Sequence, residues 1–372
     1  MWPMLHTRKS ARGYRGEIPP RLSNFLTKAL FSYIMACGED LCCLCRNHHC
    51  CTTIAVQAVQ EWRNSDESTN GKPIESTTSD HDDSEYCKEA DNVYEILAKE
   101  ELGTINKLMV IDAPLVAPKA QAGQFVILRV IEEGERIPLT IADFDHEKGT
   151  ITLIFQEVGK STMHLGLLEV GDELASVTGP LGRPTEIENY GTVVCVGGGV
   201  GIAPVYPIAR ALKKAGNEVL SIIGARTKDL LFWEGEMRSV SDEIIVCTDD
   251  GSCARKALVT EPLKELCETR DIACVWGIGP AIMMKFTSLT TKPFGVKTFV
   301  SLNSIMVDGT GMCGACRVEV GGKTRFVCVD GPEFDGHEVD WDLLMARQRI
   351  YLTEEKRAFD DFKLKCECDS GL

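Results

Sequence analysis

Three cysteines near the C-terminal end share one glycine-rich stretch. Asp308-Gly-Thr-Gly-Met-Cys313-Gly-Ala-Cys316 is followed by Cys328 in the run Phe-Val-Cys-Val-Asp-Gly-Pro. The spacing is C-x2-C and then x11-C, with an aspartate five residues before the first cysteine. Plant-type [2Fe-2S] proteins use C-x4-C-x2-C and a distant fourth cysteine, so Asp308 stands in their first ligand position. The glycines suit a cluster, because backbone must wrap closely around inorganic sulfide. Zinc is a second reading, although zinc sites usually bring a second paired hairpin that is missing here. A thioredoxin-like redox pair needs a helix start after a strand, whereas Arg317-Val-Glu-Val alternates like a strand. The motif therefore predicts an iron–sulfur site on Asp308, Cys313, Cys316 and Cys328, with zinc and ordinary thiols as competitors.

Upstream lie loops suited to phosphates. Gly197-Gly198-Gly199-Val-Gly201-Ile-Ala-Pro204 follows a strand-like run and leads into a helical one. Glycines there let backbone approach a pyrophosphate, and a helix N-terminus adds N–H donors and a positive dipole. It departs from the Rossmann fingerprint at Ile202, and a plain tight turn is the competing reading. Gly277-Ile-Gly279-Pro280, Gly224-Ala-Arg226-Thr and Thr248-Asp249-Asp250-Gly251 also follow strands. In an open parallel sheet such loops converge on one edge, where ligands bind. Arg226 suits a phosphate or a ribose there, or is simply solvated. Further upstream, Arg136-Ile-Pro138-Leu139-Thr140 interrupts a strand with an arginine and then a hydroxyl. The hydroxyl suits a flavin ring nitrogen and the arginine a phosphate. Gly159-Lys160-Ser161-Thr162 precedes a helix and offers a second phosphate site, with helix capping by Ser161 as the ordinary alternative. The seven histidines form no H-E-x-x-H site, and His164 reads as packed or capping rather than catalytic.

The elements that must position these motifs change character along the chain. From Tyr94 to about Asn189, short β-favouring runs at 107–112, 124–130, 150–156 and 173–177 are separated by turn signals, which predicts a small antiparallel barrel. One helix, over 161–169, breaks the pattern. From Gly191 to about Lys292, strands alternate with helices at 203–215 and 259–267, which predicts a doubly wound parallel sheet. The last segment, from about Pro293, carries the cysteines and ends in a charged, partly helical tail. The implied division is 1–92, 93–189, 190–292 and 293–372.

Residues 1–92 differ from the rest. They begin basic, pass through a Cys/His tract (Cys37 to Cys51, with His48 and His49) and end in a polar run of linker composition. The tract repeats no zinc spacing, and Phe25 to Ala36 is too short and mixed for a signal. Regular patterning begins at Val93-Tyr-Glu-Ile-Leu. Valine is also encoded by the alternative start codon GUG, so we expect the native protein to begin at Val93.

The chain has 372 residues, 44% hydrophobic and 26% charged, which suits a soluble protein of two or three domains. A net charge of −15 argues against a nucleic-acid surface. No apolar run reaches the length of a membrane span. The seventeen cysteines are not spread like a secreted disulfide framework, which favours a reducing cytoplasm.

A barrel with R-x-P-x-T, then G-G-G-V-G-I-A-P, then G-x-G-P, then a terminal cysteine cluster resembles the ferredoxin–NADP reductase superfamily. Within it, the tail resembles the iron–sulfur electron-transfer subunits of dihydroorotate dehydrogenase and of NADH-dependent reduced ferredoxin:NADP oxidoreductase, also called sulfide dehydrogenase. The resemblance covers about Tyr94 to Cys366. Ser301 to Cys316 is similar to the second kind almost residue for residue, and its aspartate-plus-three-cysteine cluster maps onto Asp308, Cys313, Cys316 and Cys328. Dihydroorotate-linked relatives have cysteine at the Asp308 position. The resemblance implies FAD at Arg136, Pro138, Leu139, Thr140 and Gly159 to Thr162, with NAD(H) at the Gly197 to Pro204 and Gly277 to Pro280 loops. It implies hydride transfer between NAD(H) and the flavin without an acid–base residue, then single electrons through a [2Fe-2S] cluster. The recipient it implies is a larger flavin and [4Fe-4S] subunit that handles NADP(H) and ferredoxin. The alternatives are the dihydroorotate-linked subunit and a non-enzymatic zinc-stabilised module.

Overall fold

Period-two alternation builds the first part of the chain. The computed structural model describes residues 94–369, which belong to one compact unit beginning at Lys88. Val93 and the Cys37 to Cys51 tract lie outside the described residues. Seven antiparallel strands form the first sheet: β1 (Tyr94–Leu102), β2 (Asn106–Asp112), β3 (Phe125–Arg129), β4 (Ile137–Asp145), β5 (Thr150–Gln156), β6 (Glu173–Leu174) and β7 (Ser176–Leu181). Helix α1 (Lys160–Leu167) stands between β5 and β6. The spatial order is β6-β1-β2-β5-β4-β3-β7, so the two outer strands are consecutive in the chain and only Ala175 separates them. Consecutive strands cannot occupy opposite edges of a flat sheet. The sheet rolls until its edges approach, giving the expected barrel. Its interior holds Ile96, Met109, Ile111, Leu128, Leu153 and Phe155. Each such side chain contributes roughly 2 kcal/mol by leaving water.

Two local expectations differ from the structure. The run 173–177 is two strands, because the chain crosses from one sheet edge to the other at Ala175. The Arg136 to Thr140 motif does not interrupt a strand, because β4 continues through Pro138. Residues 137–140 pair only with β3, and pairing with β5 begins at Ile141. Pro138 therefore sits on a locally open edge, where its missing N–H costs no ladder bond.

The second sheet is built from near-continuous apolar runs, as strands covered on both faces require. Its parts are β8 (Thr192–Gly198), α2 (Ile202–Lys214), β9 (Glu218–Ala225), α3 (Glu234–Ser239), β10 (Glu243–Thr248), β11 (Arg255–Lys256), α4 (Thr260–Thr269), β12 (Cys274–Ile278), α5 (Ala281–Thr291) and β13 (Lys297–Ser301). These strands are parallel. Helix α2 buries Ile202, Val205, Ile208, Ala209 and Leu212, the spacing of one helical face. Helix α5 has no counterpart among the sequence expectations.

The C-terminal segment folds onto both sheets. Strands β14 (Arg317–Val320) and β15 (Lys323–Phe326) form a hairpin turned by Gly321 and Gly322, both at positive φ. Helix α6 (Val327–Asp330) follows, then β16 (Glu333–Asp335), which pairs antiparallel with β13 and makes the second sheet β11-β10-β9-β8-β12-β13-β16. Helix α7 (Trp341–Gln348) is capped by Asp340, whose side chain accepts the Leu343 N–H, and α8 (Leu352–Asp369) is the expected charged tail. One apolar cluster joins Phe125 and Ile127 of β3, Met284 of α5, Val300 of β13, Cys316 and Cys328. Among the described residues no helix is long and apolar enough to cross a membrane.

Candidate cofactor sites

The parallel sheet changes direction at β8. From there the chain builds outward through β9, β10 and β11, then returns to lay β12 and β13 on the other side. Such a switch point opens a crevice beyond the carboxyl ends of the two central strands. The Gly197 to Pro204 loop ends β8 and enters α2, and the Gly277 to Pro280 loop ends β12, so both meet there. A Cβ on Gly201 would lie 2.2 Å from Ile278 O, and one on Gly279 would lie 2.9 Å from Gly198 O. These glycines let the two loops touch backbone to backbone. Gly199 differs: it has φ 56° and open space where a Cβ would be. It leaves room at the N-terminus of α2, whose first amides have no partner within the helix. Ile202, in place of a fingerprint glycine, is fully buried.

Arg226 and Asp249 belong to a separate pair of loops, after β9 and β10. Asp249 N–H donates to Ala225 O at 3.1 Å and Asp250 N–H to Arg226 O at 3.2 Å. Both Arg226 and Asp249 are exposed, and Arg226 makes no ion pair among the described residues. They flank the switch point on the β9 side rather than sitting in it.

On the barrel, Arg136 is exposed and Pro138, Leu139 and Thr140 are half-buried along the open edge of β4. The neighbouring Glu135 carboxylate accepts the Ser161 hydroxyl and lies 3.5 Å from Lys160 Nζ. A carboxylate thus already stands at the anion position that Lys160 and Ser161 offer. Thr162 rather than Ser161 closes the first turn of α1, since its Oγ1 accepts the Gly159 N–H at 3.1 Å. His164 packs against Phe362 of α8 with ring centroids 5.4 Å apart. Burial, with Lys160 nearby, holds its pKa below the ordinary imidazole value. Arg210 of α2 bonds Asp143 of β4 at 2.6 Å and lies over the rings of Phe144 and Tyr206, pinning the parallel sheet to the barrel.

The cysteine loop is folded by Asp308. Its Oδ1 accepts the Thr310 N–H at 3.0 Å and its Oδ2 the Cys313 N–H at 2.8 Å. Burial pushes the Asp308 carboxyl up, but these amides outweigh it and hold the group below the usual carboxylate range. Cys316 and Cys328 are buried with their Sγ atoms 3.2 Å apart, while Cys313 is exposed. Burial, then the Cys316 contact, pushes the Cys328 thiol up. Two buried sulfurs at that distance do not both ionise unless a cation lies between them. Among the described residues no group of three or more His, Cys, Asp or Glu side chains converges as it would around a metal ion. The donor types fit an iron–sulfur cluster, and each Asp308 oxygen keeps a lone pair beyond its amide bond. The loop presses on the barrel: a Cβ on Gly309 would lie 2.7 Å from both Ile127 Cδ1 and Leu181 Cδ1.

Residues 303–340 match the family described as the iron–sulfur cluster binding domain of dihydroorotate dehydrogenase B. The chain is 53% identical over 252 residues to the Thermotoga maritima homolog of the dihydroorotate dehydrogenase B (NAD(+)) electron transfer subunit, covering 68% of this chain and 89% of that one. The chain belongs to this electron-transfer subunit family. The family lies within the ferredoxin–NADP reductase superfamily. It is also similar to the electron transfer subunit of Geobacillus thermodenitrificans, 33% identical over 62% of this chain and 91% of the relative. Among solved structures, the NADH-dependent reduced ferredoxin-NADP oxidoreductase, studied for flavin-based electron bifurcation, superposes with a TM-score of 0.70 at 50% identity, over 73% of this chain and 98% of that one. The match selects an iron–sulfur domain over the zinc and free-thiol alternatives.

Two acidic residues escaped the sequence reading. Glu135 meets α1 across 26 positions and Glu333 meets Thr185 across 148, so no local pattern signals either.

Proposed function

We propose that the chain is the flavin- and iron–sulfur-bearing subunit of a heteromeric ferredoxin:NADP+ oxidoreductase in a reducing cytoplasm. It exchanges hydride between NAD(H) and FAD and passes electrons through a [2Fe-2S] cluster to a larger partner subunit. The observation that carries this reading is the seat of the cluster loop. Gly309 packs on Ile127 of β3 and Leu181 of β7, and Ile127 pairs with Pro138 on the open edge of β4, while the same apolar core reaches α5 behind the glycine loops. Residues 93–189 would hold FAD, 190–292 NAD(H) and 293–372 the cluster.

The residues take distinct parts. Arg136 and Lys160 offset pyrophosphate charge, and Ser161 exchanges Glu135 for a phosphate oxygen. Pro138, Leu139 and Thr140 line the open edge. Gly197 to Gly201 and Gly277 to Pro280 shape the dinucleotide crevice, with Gly199 at the closest approach and Arg226 and Asp249 at its flank. Asp308, Cys313, Cys316 and Cys328 ligate the cluster. When bound, a flavin takes an electron pair as hydride and yields electrons singly to a one-electron carrier. The protein's part is orientation, so no acid–base residue is assigned.

Visible absorption of the anaerobically purified protein tests the reading. Flavin bands with added cluster absorbance are expected, and a colourless, zinc-containing protein sinks it. Lys160→Ala should weaken FAD binding about tenfold, the scale of one charge-assisted hydrogen bond. Unchanged FAD affinity by fluorescence titration would remove Lys160 from the site. The dihydroorotate-linked reading is favoured by the family match over 303–340. Assaying the native complex with NADPH and ferredoxin against dihydroorotate separates the two.

A further inference from the structure

The linker leaving the barrel is bonded at Arg183 and Thr185 to the segment after Cys328. Arg183 N–H donates to Gly331 O at 2.7 Å and Arg183 Nε–H to Val329 O at 3.1 Å. Thr185 N–H returns to the barrel, donating to Ala122 O at 2.9 Å. Within this seam stands Glu333, the first residue of β16. Its Oε1 accepts the Thr185 hydroxyl at 2.5 Å and its Oε2 accepts the Trp276 Nε1–H of β12 at 3.2 Å. The barrel approaches the same carboxylate at Gly123, where an added Cβ would lie 2.9 Å from Glu333 Oε1. One side chain therefore meets barrel, linker and parallel sheet from the cluster segment.

No ion pair engages Glu333 among the described residues. The titratable groups that feel its charge are Tyr190 of the linker and Cys195 of β8, and Arg183 turns instead to Asp330 at 3.7 Å. Burial pushes the Glu333 carboxyl up to about 7, against the pull of its two hydrogen bonds. Protonated, it donates to Thr185 Oγ1 and accepts from Trp276, and the seam holds no charge. Deprotonated, it leaves a carboxylate facing no cation.

We propose that Glu333 is a positioning residue for hydride transfer: it ties the linker and the dinucleotide-binding sheet to the segment carrying Cys328, and so sets how that sheet meets the barrel. This rests on the functional reading above. Reacting atoms tolerate little displacement, since about 1 Å can cost about a hundredfold in rate. The folded-state value lies above the ordinary 4.5, so the seam's contribution to stability is full below that and is lost as pH rises through about 7.

Glu333→Gln keeps the shape, with its amide donating to Thr185 and accepting from Trp276, but cannot titrate. In the flavin- and cluster-loaded full chain, the wild-type melting temperature should fall relative to Glu333→Gln as pH rises from about 5 to about 8.5. NADH-driven flavin reduction should slow over the same range in the wild type only. Glu333→Ala should lower the maximal rate about tenfold with little change in KM, the split expected of lost orientation rather than lost binding. A melting difference that does not vary with pH, or the same rate step in wild type and Glu333→Gln, overturns the proposal. A loaded wild type that NADH does not reduce overturns the functional reading instead, and the melting profile still decides whether Glu333 holds the seam.

Discussion

Asp308→Ala is expected to empty the iron–sulfur site while FAD stays bound. The substitution removes two things at once: a ligand oxygen, and the acceptor that folds the loop through the Thr310 and Cys313 amides. With the acceptor gone, the Cys313 amide loses the bond that fixes its place in the loop. Iron content and the EPR signal of the reduced protein should both drop, with flavin absorbance unchanged. Two further substitutions separate the roles. Asp308→Asn keeps one amide acceptor but supplies no carboxylate, so it should lose iron if ligation is the main role. Asp308→Cys should retain a cluster with altered EPR and potential, because thiolate is a softer donor than carboxylate. Full iron content and an unchanged signal in Asp308→Ala would refute ligation by this residue.

Gly201→Ala is expected to damage both stability and dinucleotide use. The new methyl would lie 2.2 Å from Ile278 O and 2.7 Å from Gly279 Cα, both backbone atoms at the end of a central strand. Neither can yield without moving β12 against β8, where the register is fixed by parallel pairing from Val193 to Gly197. Overpacking of this kind costs about 1–3 kcal/mol. It also opens the contact between the two glycine loops. The melting temperature should fall and the affinity for NADH should drop together. Gly199→Ala makes the informative contrast. Its methyl meets open space, so any loss there comes from the positive φ and from intrusion on the ligand, not from loop-to-loop packing. A Gly201→Ala protein that melts like the wild type would mean the two loops are not held in contact.

The architecture was legible where pattern is local. The run 150–156 is β5 residue for residue, and the helices expected over 203–215 and 259–267 are α2 and α4 within a residue or two at each end. Local chemistry misled at Pro138, which reads as a break until one sees that β4 there has a partner on one side only. Helix α5 was missed because Met283, Met284 and the run of threonines and serines after them show little helical periodicity. Of the candidate site, the placement of four loops after strands and the iron–sulfur character of the cysteine segment were readable from residue types. What was not readable is which loops touch. Gly198 and Gly279 meet because β8 and β12 are neighbours across the switch point, a fact of topology that no window of sequence contains. Glu135 and Glu333 are invisible for the same reason.

The second sheet ends on β16, and that placement has a consequence during synthesis. Strand β13 leaves the ribosome with its outer edge bare, and it stays bare until Glu333–Asp335 has emerged. Asp308, Cys313, Cys316 and Cys328 all lie in the stretch made between those two strands. Every residue of the cysteine motif is therefore outside the ribosome before the sheet can close. An unpaired edge is the part of a nascent chain most open to wrong partners, so the interval in which the motif is delivered is also the one in which this sheet is most exposed.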